Sequence, residues 1–115
     1  MSYMLLIVER HGQRRERSDA EGRAVYQRML DYGAGLTRRG LLQASNSLRS
    51  TGVRLTRANG RAQVLDGPFS ESKEFVGGFF LLNCATRDEA LALASECPAA
   101  EWATIEVREV APCYE

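Results

Sequence analysis

The chain has 115 residues, 15 Lys plus Arg against 15 Asp plus Glu, 44% hydrophobic and 26% charged side chains. A folded chain of this size buries roughly two-thirds of the surface its unfolded form exposes, enough for one core without disulfides or a structural metal, so a single domain over residues 1–115 is expected and disorder is excluded. The zero formal charge argues against direct nucleic-acid binding, which needs a basic surplus on some face.

Tyr3 to Val8 is a continuous apolar run bounded by Glu9-Arg10-His11-Gly12 and predicts a buried central strand. Ser18 with Glu21 forms a capping-box pattern, and Val25, Met29, Tyr32 and Leu36 draw one apolar stripe, which predicts a helix over 19–39. Arg38 and Arg39 suit its negative end and Gly40 the left-handed position beyond it. Gly33 and Gly35 each cost roughly 1 kcal/mol relative to Ala, so packing must hold the last turns. Leu41 to Leu48 predicts a second strand. Val53–Ala58 and Arg61–Asp66 then alternate around Asn59-Gly60, the dipeptide of a type I′ hairpin turn. That register pairs Leu55 with Val64 and Val53 with Asp66, placing these four on one side and Arg54, Thr56, Gln63 and Leu65 on the other.

Residues 70–74 predict a polar loop into Phe75, and Gly77 to Cys84 a strand apolar on both faces. Thr86 and Glu89 repeat the capping-box spacing ahead of Ala90, Leu93, Ala94 and Cys97, and Pro98 stops that helix. Ile105, Val107 and Val110 mark a last strand over 104–110. Without the hairpin the order is β-α-β-β-α-β, so the expected fold class is α+β: a ferredoxin-like antiparallel sheet with two helices on one face and an inserted β-hairpin. Two helices shield only one side of a sheet whose central strands are apolar on both. A second copy packing sheet to sheet, a homodimer, is therefore expected.

Cys84, Cys97 and Cys113 are an odd set without C-x-x-C spacing, and His11 is the single histidine, so no metal or other cofactor is indicated. With no apolar run long enough for a signal-peptide core or membrane span, a cytoplasmic protein without membrane contact is expected. Arginine outnumbers lysine 14 to one, Lys73. Codon bias in a GC-rich genome accounts for that skew, and guanidinium chemistry suited to carboxylate or phosphate is the alternative.

The most distinctive stretch is Leu65-Asp66-Gly67-Pro68-Phe69-Ser70-Glu71-Ser72-Lys73-Glu74-Phe75-Val76-Gly77-Gly78-Phe79-Phe80. It resembles the signature of the YCII-related family, specifically its DGPF branch. Tyr3-Met4-Leu5-Leu6, Val53-Arg54, Asp88-Glu89-Ala90, Cys97-Pro98-Ala99-Ala100 and Glu106-Val107-Arg108 follow in family order, so nearly the whole chain is covered. The resemblance implies a dimeric α/β barrel. One characterised relative outside this branch is a dehydrochlorinase for a chlorinated hydroxyquinol, and a histidine–aspartate pair is the active centre the family suggests. This chain departs from that pair: residues 19–39 contain no histidine, and Cys97 stands where the aspartate is expected before the helix-ending proline.

Asp66 is the first candidate catalytic residue, a strand-end carboxylate able to act as a general base or to bind a ligand. The same residue before Gly67-Pro68 also suits bonding to its own turn. Arg54 is a candidate carboxylate clamp or a cross-strand partner on a solvated face. Lys73 and Glu74 are candidate pocket residues or a solvated charge run, and His11 is a candidate ligand-binding residue or a solvated loop histidine. Gly77-Gly78 is not a phosphate loop, since a strand follows it; these glycines are expected to permit close approach of another backbone. Two functions follow. One is a homodimer whose cleft takes a small anionic or aromatic ligand, with lyase-like or isomerase-like acid–base chemistry. The other, implied by the resemblance, is a regulatory module associated with sigma-factor-dependent transcription. An enzyme should bring these side chains to one pocket, and a module should scatter them.

Overall fold

The computed structural model describes residues 2–67, 69 and 72–115. Strands β1 (Ser2–Arg10) and β5 (Glu74–Asn83) form the middle of a four-stranded antiparallel sheet, with β2 (Leu42–Ser47) and β6 (Thr104–Glu109) at its edges in the order β2-β5-β1-β6. This is the ferredoxin-like order expected from the sequence. Helices α1 (Asp19–Arg38) and α2 (Arg87–Ser95) cover one face. Alternation along β1 sends Tyr3, Leu5, Ile7 and Glu9 inward and leaves Met4, Leu6 and Val8 half-buried on the other face.

The core joins Leu5 and Leu82 to Leu36 of α1 and to Ala90 and Leu93 of α2. Leu5, Leu36 and Leu82 are fully buried, each contributing about 1.5–3 kcal/mol by leaving water. Tyr32 meets Phe80 edge-to-face at 5.1 Å and donates its hydroxyl to the Leu93 carbonyl at 2.6 Å, tying α1 to α2. Gly33 is buried, and a Cβ there would lie 3.5 Å from the Phe80 ring, so α1 packs closely on β5 where its helix propensity is poor. On the opposite face Met4 pairs with Leu81 and Leu6 with Phe79, making an apolar patch that the helices do not reach.

Ser18 caps α1 with both halves of the capping box formed, and Gly40 adopts φ 72 just past the helix. At α2 the Thr86 hydroxyl accepts from Glu89 N, but the Glu89 carboxylate reaches Ala85 N, so only half the box forms there. The helix ends at Ser95, and Pro98 opens a 3₁₀ turn (Pro98–Glu101). Two strands run longer than the hydropathy predicts. β1 continues to Arg10 because Glu9 is an inward position with a partner, and β5 starts at Glu74 because the expected loop already pairs with Arg10.

The hairpin β3 (Val53–Ala58) and β4 (Arg61–Asp66) has the predicted register, with Asn59 at φ 52 and Gly60 at φ 75 as a type I′ turn demands. It forms its own two-stranded sheet, and every residue on it is exposed. The radius of gyration, 16.0 Å, exceeds the roughly 13 Å of a compact chain this long, as a projecting arm requires. At its base Gly67 N donates to Gly52 O at 2.8 Å, and a Cβ at Gly67 would meet that carbonyl at 2.8 Å. The glycine of the D-G-P-F box therefore closes the arm. No helix among the described residues is long and apolar enough to cross a membrane.

Candidate functional site

The last inward position of β1 carries Glu9, which is 5% exposed. Its partner is Arg14 on a 3₁₀ turn (Gln13–Glu16) that leaves the strand through Gly12 at φ 87. Arg14 Nε donates to Glu9 Oε1 at 3.0 Å and Nη2 to Oε2 at 2.7 Å, a bidentate pair. Nη2 also donates to Gly77 O at 3.1 Å and Nη1 to Leu48 O at 2.8 Å, while the guanidinium lies 5.0 Å from the Phe75 ring centre. A buried carboxylate is tolerated only when paired and hydrogen-bonded in this way.

The double glycine explains how the pair fits. A Cβ on Gly77 would fall within the Glu9 carboxylate and against Arg14, and one on Gly78 would meet Asn46 O at 2.9 Å. Gly78 makes the expected close approach to a neighbouring backbone. Gly77 instead makes room for a side chain, at the register shift where β1 and β5 pass Ile7 and Val8.

Glu9 and Arg14 form the floor of a cavity of about 620 Å³ between α1 and the sheet. Val25, Tyr26, Met29 and Leu30 of α1, with Phe80 and Trp102, give it apolar and aromatic walls, and Ser45 and Ser47 of β2 add hydroxyls. Trp102 is fixed from both sides: Gln13 donates to its carbonyl at 2.8 Å, and the Arg17 and Arg28 guanidinium groups lie 5.6 and 5.4 Å from its ring centre. Arg28 in turn pairs with Glu101 and holds that carboxyl below the usual carboxylate range. Apolar walls with a few placed polar groups are the general form of a small-molecule site.

The residues singled out in the sequence are not brought together in one chain. Asp66 is exposed at the base of the hairpin, opposite Val53, and Pro68 of the box and the following Ser70 and Glu71 lie outside the described residues. Arg54 stacks on Phe69 at 3.8 Å, so it fastens the arm rather than facing a cross-strand carboxylate. Glu74 and Lys73 are exposed. His11 lines a second, smaller cavity, its ring 5.0 Å from that of Phe75. None of the five borders the larger cavity. The sequence reading missed Glu9 and Arg14 because it took the charged run 9–12 as the end of the strand. The available signal was the period of two, which places Glu9 in the same file as Leu5 and Ile7.

Cys97 is buried in the core and its thiol is pushed up by that burial, so it supplies no acid in place of the missing aspartate. Among the described residues no group of three His, Cys, Asp or Glu is placed to hold a metal ion.

The family model of the YCII-related domain matches residues 1–113. The chain belongs to that family. It is 44% identical over 59 residues to an uncharacterised protein of Rhizobium meliloti (strain 1021), a match taking in 50% of this chain and 48% of that protein, so it spans about half the length of this curated relative. Among solved structures it is similar to the 5-chloro-2-hydroxyhydroquinone dehydrochlorinase of Burkholderia phenoliruptrix AC1100, solved in complex with 2,5-dihydroxybenzoquinone. That likeness has a TM-score of 0.56 at 15% identity and covers 96% of this chain and 94% of the other, which establishes a shared fold.

Proposed function

We propose that this YCII-related domain binds a small hydroxylated ring in the cavity between α1 and the sheet and acts on it by acid–base chemistry of lyase or isomerase type. The observation that carries the reading is the Glu9–Arg14 pair on the floor of a largely apolar, tryptophan-walled cavity. A carboxylate has about four acceptor positions, and Arg14 occupies two, so Glu9 keeps capacity to take a hydrogen bond or proton from a ring hydroxyl. One Nη1 hydrogen of Arg14 is left over to steady the oxyanion that results. The dehydrochlorinase of the same fold acts on a chlorinated hydroxyhydroquinone, which makes hydroxyquinols and hydroxyquinones the ligand class to try first.

The same reading has the protein working as a homodimer through the open sheet face, where Met4, Leu6, Val8, Phe79 and Leu81 stand clear of the helices. Its test is the solution mass: twice the 12.8 kDa chain mass supports it, one chain mass removes it. Ligand binding is tested by thermal shift with 2,5-dihydroxybenzoquinone, which at a hundred times its dissociation constant should stabilise by about 2.7 kcal/mol. Asp66→Asn should bind as wild type does, because Asp66 is remote from this cavity; loss of binding with an intact fold would return the catalytic role to Asp66.

The projecting hairpin favours a second reading. Val53, Leu55 and Val64 on one side of it are 61%, 61% and 62% exposed, more apolar surface than a free arm gains from leaving in water. A regulatory module associated with a sigma factor would use such an arm. Removing the arm would then abolish the regulatory contact and leave ring binding in place.

A further inference from the structure

We infer that the smaller cavity beside His11 is a second binding site, built for a tetrahedral oxyanion such as the phosphate of a small monoester. This cavity, about 210 Å³, lies on the other side of Arg14 from the ring cavity and is lined by His11, Arg14, Arg15, Ser50, Thr51 and Ser72, with Phe69 and Phe75 as its apolar walls. Its described lining holds two guanidinium groups, an imidazole and three hydroxyls, and no carboxylate. Arg14 is already matched by Glu9, and Arg15 makes no ion pair among the described residues, so the described lining carries a net positive charge.

His11 supplies the independent observation. Its Nε2 is buried and has no hydrogen-bond partner among the described residues. A buried polar atom left unpaired costs about 1–3 kcal/mol, a penalty that native structures seldom leave without a ligand or water to remove it. The ring packs against Phe75, with centroids 5.0 Å apart and the planes tilted by 34°, and its backbone N–H donates to Lys73 O at 3.0 Å. An oxyanion within reach gives Nε2 an acceptor.

The donors favour three oxygens over two. The Arg15 fork, His11 Nε2 and the Ser50 and Thr51 hydroxyls come from two separate chain segments, 11–15 and 50–51, so they approach a central group from two sides. A planar carboxylate presents two oxygens in one plane, whereas a phosphate monoester presents three around a tetrahedron. Ser72 already donates its hydroxyl hydrogen to Glu74 O at 2.7 Å, so towards the ligand it can only accept, which suits the proton of a singly ionised phosphate. The Arg54–Phe69 stack, at 3.8 Å, closes the wall on the hairpin side.

The test is calorimetric titration of the full chain with inorganic phosphate at fixed ionic strength, alongside chloride as the control and acetate as the planar oxyanion. Wild type should bind one phosphate per chain, and Arg15→Gln should weaken it about tenfold, since Arg15 is exposed and its loss leaves the fold intact. His11→Phe, which keeps the packing against Phe75, should weaken it similarly. A phosphate response no larger than that of chloride, unchanged affinity in Arg15→Gln, or acetate binding at least as tightly as phosphate would overturn the assignment. Because no ring compound enters the titration, this outcome is separate from the fate of the proposed ring site.

Discussion

The Glu9 carboxylate lies in the space that a methyl group on Gly77 would need, with the Arg14 guanidinium closing the same gap from the 3₁₀ turn. A glycine late in the family signature is thus tied to an acid at the end of the first strand, about seventy residues earlier, through the register of β1 and β5. That contact sets what sits on the floor of the ring cavity.

Gly77→Ala should therefore act as a site substitution and not as a mild change in a strand. The new Cβ pushes the carboxylate off Arg14, leaving a buried charge poorly paired, and destabilisation of about 2–3 kcal/mol is expected. The midpoint of urea unfolding should fall with little change in slope, and 2,5-dihydroxybenzoquinone should no longer raise the melting temperature. Gly22→Ala, where nothing lies within 4 Å of the added Cβ, is the control and should be neutral or slightly stabilising.

A double-mutant cycle on the pair has a definite sign. Arg14→Met strands the buried Glu9 carboxylate and should cost about 3 kcal/mol, whereas Glu9→Met with Arg14→Met should recover a large part of that loss by replacing two charges with apolar groups. Additive losses, read from unfolding curves of the four proteins, would mean that the two side chains do not act as a pair.

At the start of α1 the backbone N–H of Ser18, with its hydroxyl, holds the Glu21 carboxyl below its ordinary value of 4.5. A depressed folded-state value stabilises the protein above the unfolded-state value, and the gain is lost as pH falls through the folded-state value. The melting-temperature gap between wild type and Glu21→Gln should be constant at neutral pH and close below about pH 4.5. Ser18→Ala should cost about 1 kcal/mol at neutral pH by removing the cap.

The three thiols should separate cleanly in reactivity. Burial pushes Cys84 and Cys97 up, keeping both protonated, whereas Cys113 is exposed. A thiol reagent at pH 8 should label one cysteine rapidly in the native protein and all three after denaturation. Rapid labelling of two in the native state would contradict the core packing of Cys84 or Cys97.

Most of the fold is legible in the chain because its signals are local. Asn59-Gly60 demands its turn, Ser18 with Glu21 marks the helix start, and the apolar files of β1 and β5 identify central strands. Hairpin register follows from the turn alone, which is why Val53 and Asp66 pair as predicted. What the hairpin packs against does not follow, since alternation is the same for a strand inside a sheet and for one on a free arm. The candidate site was harder to read for a related reason. Asp66, Arg54, Lys73 and Glu74 cluster in sequence near the D-G-P-F box, but the arm carries the first two away and the other two turn to solvent. Glu9 and Arg14 meet only because β1 runs on past the apolar run that defines it in the sequence, and Gly77 is left bare by a partner on another strand.

Trp102 is the single tryptophan of the chain and stands in the wall of the ring cavity, so its fluorescence reports on that cavity alone. Titration with 2,5-dihydroxybenzoquinone, corrected for absorption, should quench it along a saturating curve that is lost in Arg14→Met. Quenching that rises linearly with concentration, with the slope of free tryptophan amide and no difference between wild type and Arg14→Met, would contradict binding of a hydroxylated ring above the Glu9–Arg14 pair.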